Sequence, residues 1–258
     1  MIESIPQGRA KYPLEYFSAQ IEFAHRISSI TGASFLDTLS KYTGMYEALA
    51  GERSQEVPNE EAWEKLLRLM ANKSPEEISN LAFTIYVEQN YADFDRSWTP
   101  VGTMRFGALG VGVTQYNLDR NQVKLHFLPT RKGGSDLASS RLSERREDMK
   151  RLLRFVRENY PDIQGIRSST WLQNLPNYRA LFPQSFLNRL TLMSNNFLGL
   201  WGQFVKWDGT ANRERYDRFI GDLQGAKTLD EVIDSIPLKV CGATGPIQEF
   251  YDFYGVRL

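Results

Sequence analysis

Residues 123–171 read VKLHFLPTRKGGSDLASSRLSERREDMKRLLRFVRENYPDIQGIRSSTW, and this stretch decides the fold. Its first residues alternate Val123, Leu125 and Phe127 with Lys124 and His126, the pattern of a half-buried strand, and Pro129 stops the run. A polar, glycine-bearing loop follows. Residues 143–159 then carry Met149, Leu152, Leu153 and Val156 on one helical stripe, with Arg145, Lys150, Arg151, Arg154 and Arg157 mostly elsewhere. Tyr160-Pro161-Asp162 ends that helix, and residues 163–171 read as a second strand. Strand, helix and strand in this order suit a right-handed crossover between neighbouring parallel strands.

Upstream, residues 101–116 interleave four glycines with Met, Phe, Leu and Val and show no helical period. The spacing predicts strands with a bend, a turn over 117–121, and a hairpin with the 123–128 strand. Downstream, a further strand is predicted over 198–207, a helix over 210–223, a shorter helix capped by Thr228-Leu229-Asp230-Glu231, and a last aromatic helix over 246–254. The first hundred residues differ in kind. Leu14, Phe17, Ile21, Ala24 and Ile27 recur at helical spacing, and Ser34 with Asp37 marks a second helix start. Trp63, Leu66, Leu67 and Met70 form the face of a third. Ser74-Pro75-Glu76-Glu77 carries the signature of a capping box with proline in the first turn. The expected fold class is α+β: a helical region over 1–99, then a mixed sheet flanked by helices over 100–258, either as two units or as one continuous compact domain.

Composition narrows the function classes. The 258 residues hold 31 basic and 31 acidic side chains, so the formal net charge is zero. A chain built to coat nucleic acid or an anionic membrane would carry a basic excess. Cys241 is the single cysteine and there are two histidines, which excludes an intramolecular disulfide and a cysteine-based zinc site. No metal is expected. The N-terminal residues lack a basic stretch followed by an apolar core, and no apolar run approaches the ~20 residues of a membrane helix, so the expected compartment is the reducing cytoplasm.

The loop Thr130-Arg131-Lys132-Gly133-Gly134-Ser135-Asp136 is the first candidate site. Between a strand and a helix, such a loop can turn successive amides onto a phosphate, glycine permits close approach, and Arg131 and Lys132 add positive charge. Asp136 opposes this with a negative charge. The plainer reading of the same loop is a solvated segment. His126 titrates in the range useful to a base, although strand histidines more often serve hydrogen bonding. Cys241 has no histidine beside it in sequence and reads as an inert thiol. The charges of the 141–157 helix alternate in sign at helical spacing, which reads as a solvated face. The aromatic tail Phe250-Tyr251-x-Phe253-Tyr254 reads as core or as a homodimer contact.

The strand at 125–128, Pro129, the Arg131-x-x-Gly134 loop and the following helix resemble the acyl-CoA-binding segment of the GNAT acyltransferase superfamily. The family's loop follows R/Q-x-x-G-x-G/A, and Asp136 stands at the last position here. Asn177-x-x-Ala180 resembles the family's N-x-x-A helix start. The tyrosine usual four residues after that alanine is Gln184 here, with Tyr178 close by. The resemblance spans about residues 101–207. It implies acyl-CoA as co-substrate, with its pyrophosphate held by Arg131, Lys132, Gly133, Gly134, Ser135 and Asn177, and a pantetheine arm between splayed strands. It further implies acyl transfer to the amine of a small molecule or protein; Tyr178, near the family's tyrosine position, and His126, from its own titration range, are the candidate catalytic groups. None of Glu88, Asp93 and Asp95 stands out as the base. The stretch 169–183 also resembles a segment of uncharacterised bacterial proteins. The rival expectation is a non-catalytic interaction module that uses the helical half, the basic helix and the aromatic tail.

Overall fold

The computed structural model describes residues 12–50, 60–90, 102–130, 134–193, 197 and 199–257. The chain begins with five helices: α1 (Leu14–Thr31), α2 (Phe35–Tyr42), α3 (Met45–Ala50), α4 (Glu60–Leu69) and α5 (Pro75–Asn90). It then forms strands β1 (Thr103–Phe106) and β2 (Leu109–Gly112), a short helix α6 (Gln115–Leu118), strand β3 (Gln122–Phe127), helix α7 (Leu142–Asn159) and strand β4 (Gly165–Thr170). Short helices α8 (Pro176–Arg179) and α9 (Gln184–Leu187) lead to strand β5 (Thr191–Leu192). Helices α10 (Arg213–Gly225) and α11 (Leu229–Asp234), strand β6 (Cys241–Pro246) and helix α12 (Ile247–Tyr254) complete the order.

These elements form two compact units, one of residues 1–96 with 196–238, the other of 97–195 with 239–258. The α+β reading therefore holds. The boundaries, however, differ from a single cut near residue 100, because the chain returns to the helical unit at 196–238. In that return the strand expected over 198–207 is a 3₁₀ turn at Trp201–Phe204, followed by one isolated bridge from Val205 to Ala211. Trp201 and Phe204 are buried against Phe23 and Phe219, so an aromatic cluster rather than a ladder fixes this segment.

Local signals in the helical unit do what their chemistry dictates. The Ser74 Oγ accepts from the Glu77 amide at 3.3 Å, and the Glu77 carboxylate accepts from the Ser74 amide at 2.8 Å, closing the capping box. Those bonds hold the Glu77 carboxyl below its ordinary range. Thr228 and Glu231 close a second box at the start of α11. On α2, Leu39 is buried, while Phe35 and Tyr42 are only partly covered.

In the second unit the described strands make a six-stranded sheet in the order β1-β2-β3-β4-β6-β5. β2 runs antiparallel to both β1 and β3, β3 and β4 are parallel, and β6 lies antiparallel between β4 and β5. The crossover expected between 123 and 171 is thus present, with α7 as its helix. Met149, Leu152, Leu153 and Val156 bury one stripe of α7 against Leu109, Val111, Val123, Leu125 and Ile166 of the sheet. β6 was not foreseen. Its sequence, CGATGP, has neither β-branched density nor clean alternation, and pairing on both sides makes it a strand. Most of the aromatic tail is core: Phe250, Tyr251 and Tyr254 are buried and Phe253 is exposed.

One arginine departs from the expected solvated face. Arg145 is fully buried, with Nη1 2.9 Å from Asp136 and Nε 3.0 Å from Asp148, and it also pairs with Glu144. Asp148 is buried as well, pairs with Arg151, and accepts from the Ala108 amide at 3.2 Å. The β1–β2 turn is therefore tied to α7 by charge as well as by packing. Gly107 in that turn has φ 63°, and a side-chain carbon there would collide with the Asp148 carboxylate. Gly107→Ala combines left-handed strain with displacement of a buried charged acceptor, and should lower stability by roughly 3 kcal/mol or more. Urea denaturation checks this; a loss below ~1 kcal/mol would show that Asp148 can move aside.

Candidate functional site

The site takes shape where β3 and β4 stop pairing. Their parallel register covers only Gln122↔Gly165, Val123↔Ile166 and Lys124↔Arg167. Beyond that rung each strand keeps its outer partner. Leu125, His126 and Phe127 stay paired with β2, and Ser168, Ser169 and Thr170 stay paired with β6. The sheet therefore opens at its centre, at the carboxyl ends of its two parallel strands.

Ladder alternation says which main-chain groups face the opening. The Leu128 amide bonds the Ala108 carbonyl, so the main-chain groups of Phe127 turn the other way, towards β4. The Ile247 amide bonds the Gln164 carbonyl and the Gly165 amide bonds the Asn121 carbonyl, so at every second residue, Ser169 included, the groups of β4 turn towards β3. The Phe127 amide thus points into the parting beyond the last paired rung.

Tyr178 lies on the core side of the opening. Its ring stands edge-on to Phe127 with centroids 5.9 Å apart, and its hydroxyl shares a hydrogen bond with Ser168. It is 1% exposed, and burial pushes its hydroxyl up to about 12. One side chain from α8 thus touches both strands just where their ladder ends. Phe182, Phe186 and Phe250 continue the aromatic packing behind it.

The loop after β3 begins at the same end of the sheet. Arg131, Lys132 and Gly133 lie outside the described residues, as do Asp93 and Asp95. The loop's two ends are described, and Asp136 joins them. Its carboxylate accepts from the Thr130 amide at 2.6 Å and the Thr130 hydroxyl at 2.8 Å, and it meets Arg141 and Arg145 at 2.9 Å each. The negative charge that counted against an anion cradle is therefore turned inward and offset by two guanidiniums. Arg105 holds the incoming end, donating to the Leu128 and Pro129 carbonyls at 2.8 and 3.2 Å. Gly134 has φ 113° and open space around it. The Ser135 hydroxyl accepts from the Leu137 amide at 3.3 Å. Asn177 reaches across from α8 to the Leu137 carbonyl at 2.9 Å and the Ser139 hydroxyl at 3.2 Å. Of the residues singled out in the sequence, Gly134, Ser135, Asn177 and Tyr178 gather at this end of the sheet. Asn177 serves there as a strut.

His126 lies on the opposite sheet face from Leu125 and Phe127. Burial, with Lys124 and Arg167 nearby, lowers it to about 4, so its imidazole is neutral at pH 7. Arg167 shares that face and was missed in the sequence, although a lone arginine inside a six-residue strand was a visible signal. Cys241, paired opposite Thr170, is a half-buried free thiol that burial raises above its ordinary value. Glu88 belongs to the helical unit, where it pairs with Lys65 at 2.8 Å. A shallow cleft of about 360 Å³ between Pro161, Ile163, Ile247 and Tyr251 sits where β4 begins, at the other end of the sheet from the loop.

Among the described residues no group of His, Cys, Asp and Glu side chains is arranged to hold a metal ion, and no helix is long and apolar enough to cross a membrane. Fold and site together define the class: an α+β protein whose mixed sheet parts between two parallel strands, beside a loop stapled at its base. Comparison of the chain with protein-family models, with curated proteins and with solved structures found no match in any of the three.

Proposed function

We propose that this protein is a GNAT-like acyltransferase that moves an acyl group from acyl-CoA to an amine. The observation that carries the reading is the ending of the β3–β4 ladder at Lys124 and Arg167 while both strands stay paired outward. A gap so placed can admit a slender pantetheine arm along main-chain edges. The coarse topology, a helical N-terminal region followed by a mixed sheet flanked by helices, is compatible with the resemblance. At the described ends of the loop, the Asp136 charge is engaged internally by Thr130, Arg141 and Arg145, which removes the objection it raised to an anion nearby.

In this reading the thioester carbonyl lies at the parting, where the Phe127 amide can bond the oxyanion as it forms. The amine nitrogen attacks the carbonyl carbon and a C–N bond forms. The C–S bond breaks, the sulfur leaves as thiolate, and the proton lost by the amine passes to water or a side-chain base.

Calorimetric titration of the full chain with coenzyme A and acetyl-CoA tests the proposal, before and after Gly134→Glu and Arg131→Glu. Saturable binding to the unmodified protein is expected, weakened at least ~10-fold by either added negative charge, a difference of about 1.4 kcal/mol. Absence of binding to the unmodified chain removes the reading.

A further inference from the structure

We infer that the sheet face bearing His126 binds the amine acceptor through an anionic group, a carboxylate or a phosphate, held by Arg167 beside Lys124. This deepens the acyltransfer reading and rests on it for the word acceptor, while the anion site itself stands on its own observations.

The first is placement. Lys124 and Arg167 are direct cross-strand partners on the last paired rung, so both side chains leave the same face of the sheet. The second is an unmet donor. Arg167 stands in a central strand, and its Nε is buried with no hydrogen-bond partner. Among the described residues it has no carboxylate; its ring contact is Tyr116, whose centroid is 5.9 Å away. A guanidinium so placed holds fork donors ready for a carboxylate or phosphate. The same Tyr116 ring, on α6, is exposed and carries Arg120 at 3.8 Å, so a further cation borders the face.

The third observation is where the face leads. His126 and Ser169 are the next residues on it, one on each lip of the parting. The His126 Nε2 lies over Gly112, where any side-chain carbon would come within 2.9 Å of it. In this reading an amine whose anionic end is held at the rung can place its nitrogen between these two lips. His126 is kept neutral there by burial, Lys124 and Arg167. An anion at the rung would offset those two cations and raise the histidine's affinity for a proton.

The chain's two histidines make the test direct, because exposed His25 on α1 is an internal reference. The full chain, labelled at histidine, is titrated by NMR with O-phosphoethanolamine, with β-alanine and with ethanolamine, an amine lacking the anion. Expected is a saturable displacement of the His126 ring signals by one or both anionic amines, an upward move of its midpoint from about 4, and no response to ethanolamine. Whichever of the two acts distinguishes phosphate from carboxylate recognition. In Arg167→Gln the affinity should fall at least ~10-fold, while the free protein's His126 midpoint rises because a facing cation is gone, which also certifies the fold. No His126 response to either anionic amine, or equal affinity in Arg167→Gln, overturns the inference. Anion binding without coenzyme A binding leaves the site standing and removes acyl transfer; coenzyme A binding without anion binding does the reverse.

Discussion

Arg145→Met is expected to lower the stability of the sheet unit by about 3–5 kcal/mol, because it strands the buried carboxylates of Asp136 and Asp148 without their shared cation. In a chain of this size that amounts to a fall of ~10 °C in midpoint. The side-chain volume is nearly kept, so packing contributes little and the loss reports charge. The chain has two compact units, so the readout should be local: hydrogen exchange on peptides covering β1–β3 and α7, alongside urea denaturation. Adding Asp136→Asn and Asp148→Asn should recover part of the loss, since neutral amides no longer need a cation. A single-variant loss below ~1 kcal/mol would mean that water already solvates these carboxylates. The functional consequence follows from the staple. With Arg145 gone, Asp136 keeps Arg141 as its remaining guanidinium partner, and on the proposed acyltransfer reading coenzyme A should bind more weakly.

Tyr178→Ala ranks next, at about 3–5 kcal/mol, the range found when a large buried ring is emptied to a methyl. Tyr178→Phe separates ring from hydroxyl. It keeps the edge contact with Phe127 and removes only the bond to Ser168, for a loss of ~1 kcal/mol. The pair of variants also decides the residue's role. A hydroxyl pushed up to about 12 by burial gives up its proton reluctantly. Tyr178 is therefore expected to position the parted strands, and on the proposed acyltransfer reading the phenylalanine variant should change coenzyme A affinity less than ~tenfold and retain turnover. Turnover abolished in Tyr178→Phe with binding intact would instead make the hydroxyl a proton donor.

The sequence alone determined the features whose causes lie within a few residues of one another. The Ser74–Glu77 and Thr228–Glu231 caps, the α7 stripe, the glycine bend in the β1–β2 hairpin and the crossover from β3 to β4 each rest on bonds or periodicities spanning one element or its neighbour. Tertiary structure decided the rest. β6 is a strand because β4 and β5 flank it, the 201–204 segment is helical because Phe23 and Phe219 enclose it, and Arg145 is buried because Asp136 and Asp148 meet it there. Asp136 shows the difference most sharply: in sequence its charge argues against an anion cradle, and in the fold that charge is consumed in closing the loop. A ladder that ends at one rung, or a charge that finds its partner elsewhere, depends on groups distant along the chain, and local spacing carries no record of them.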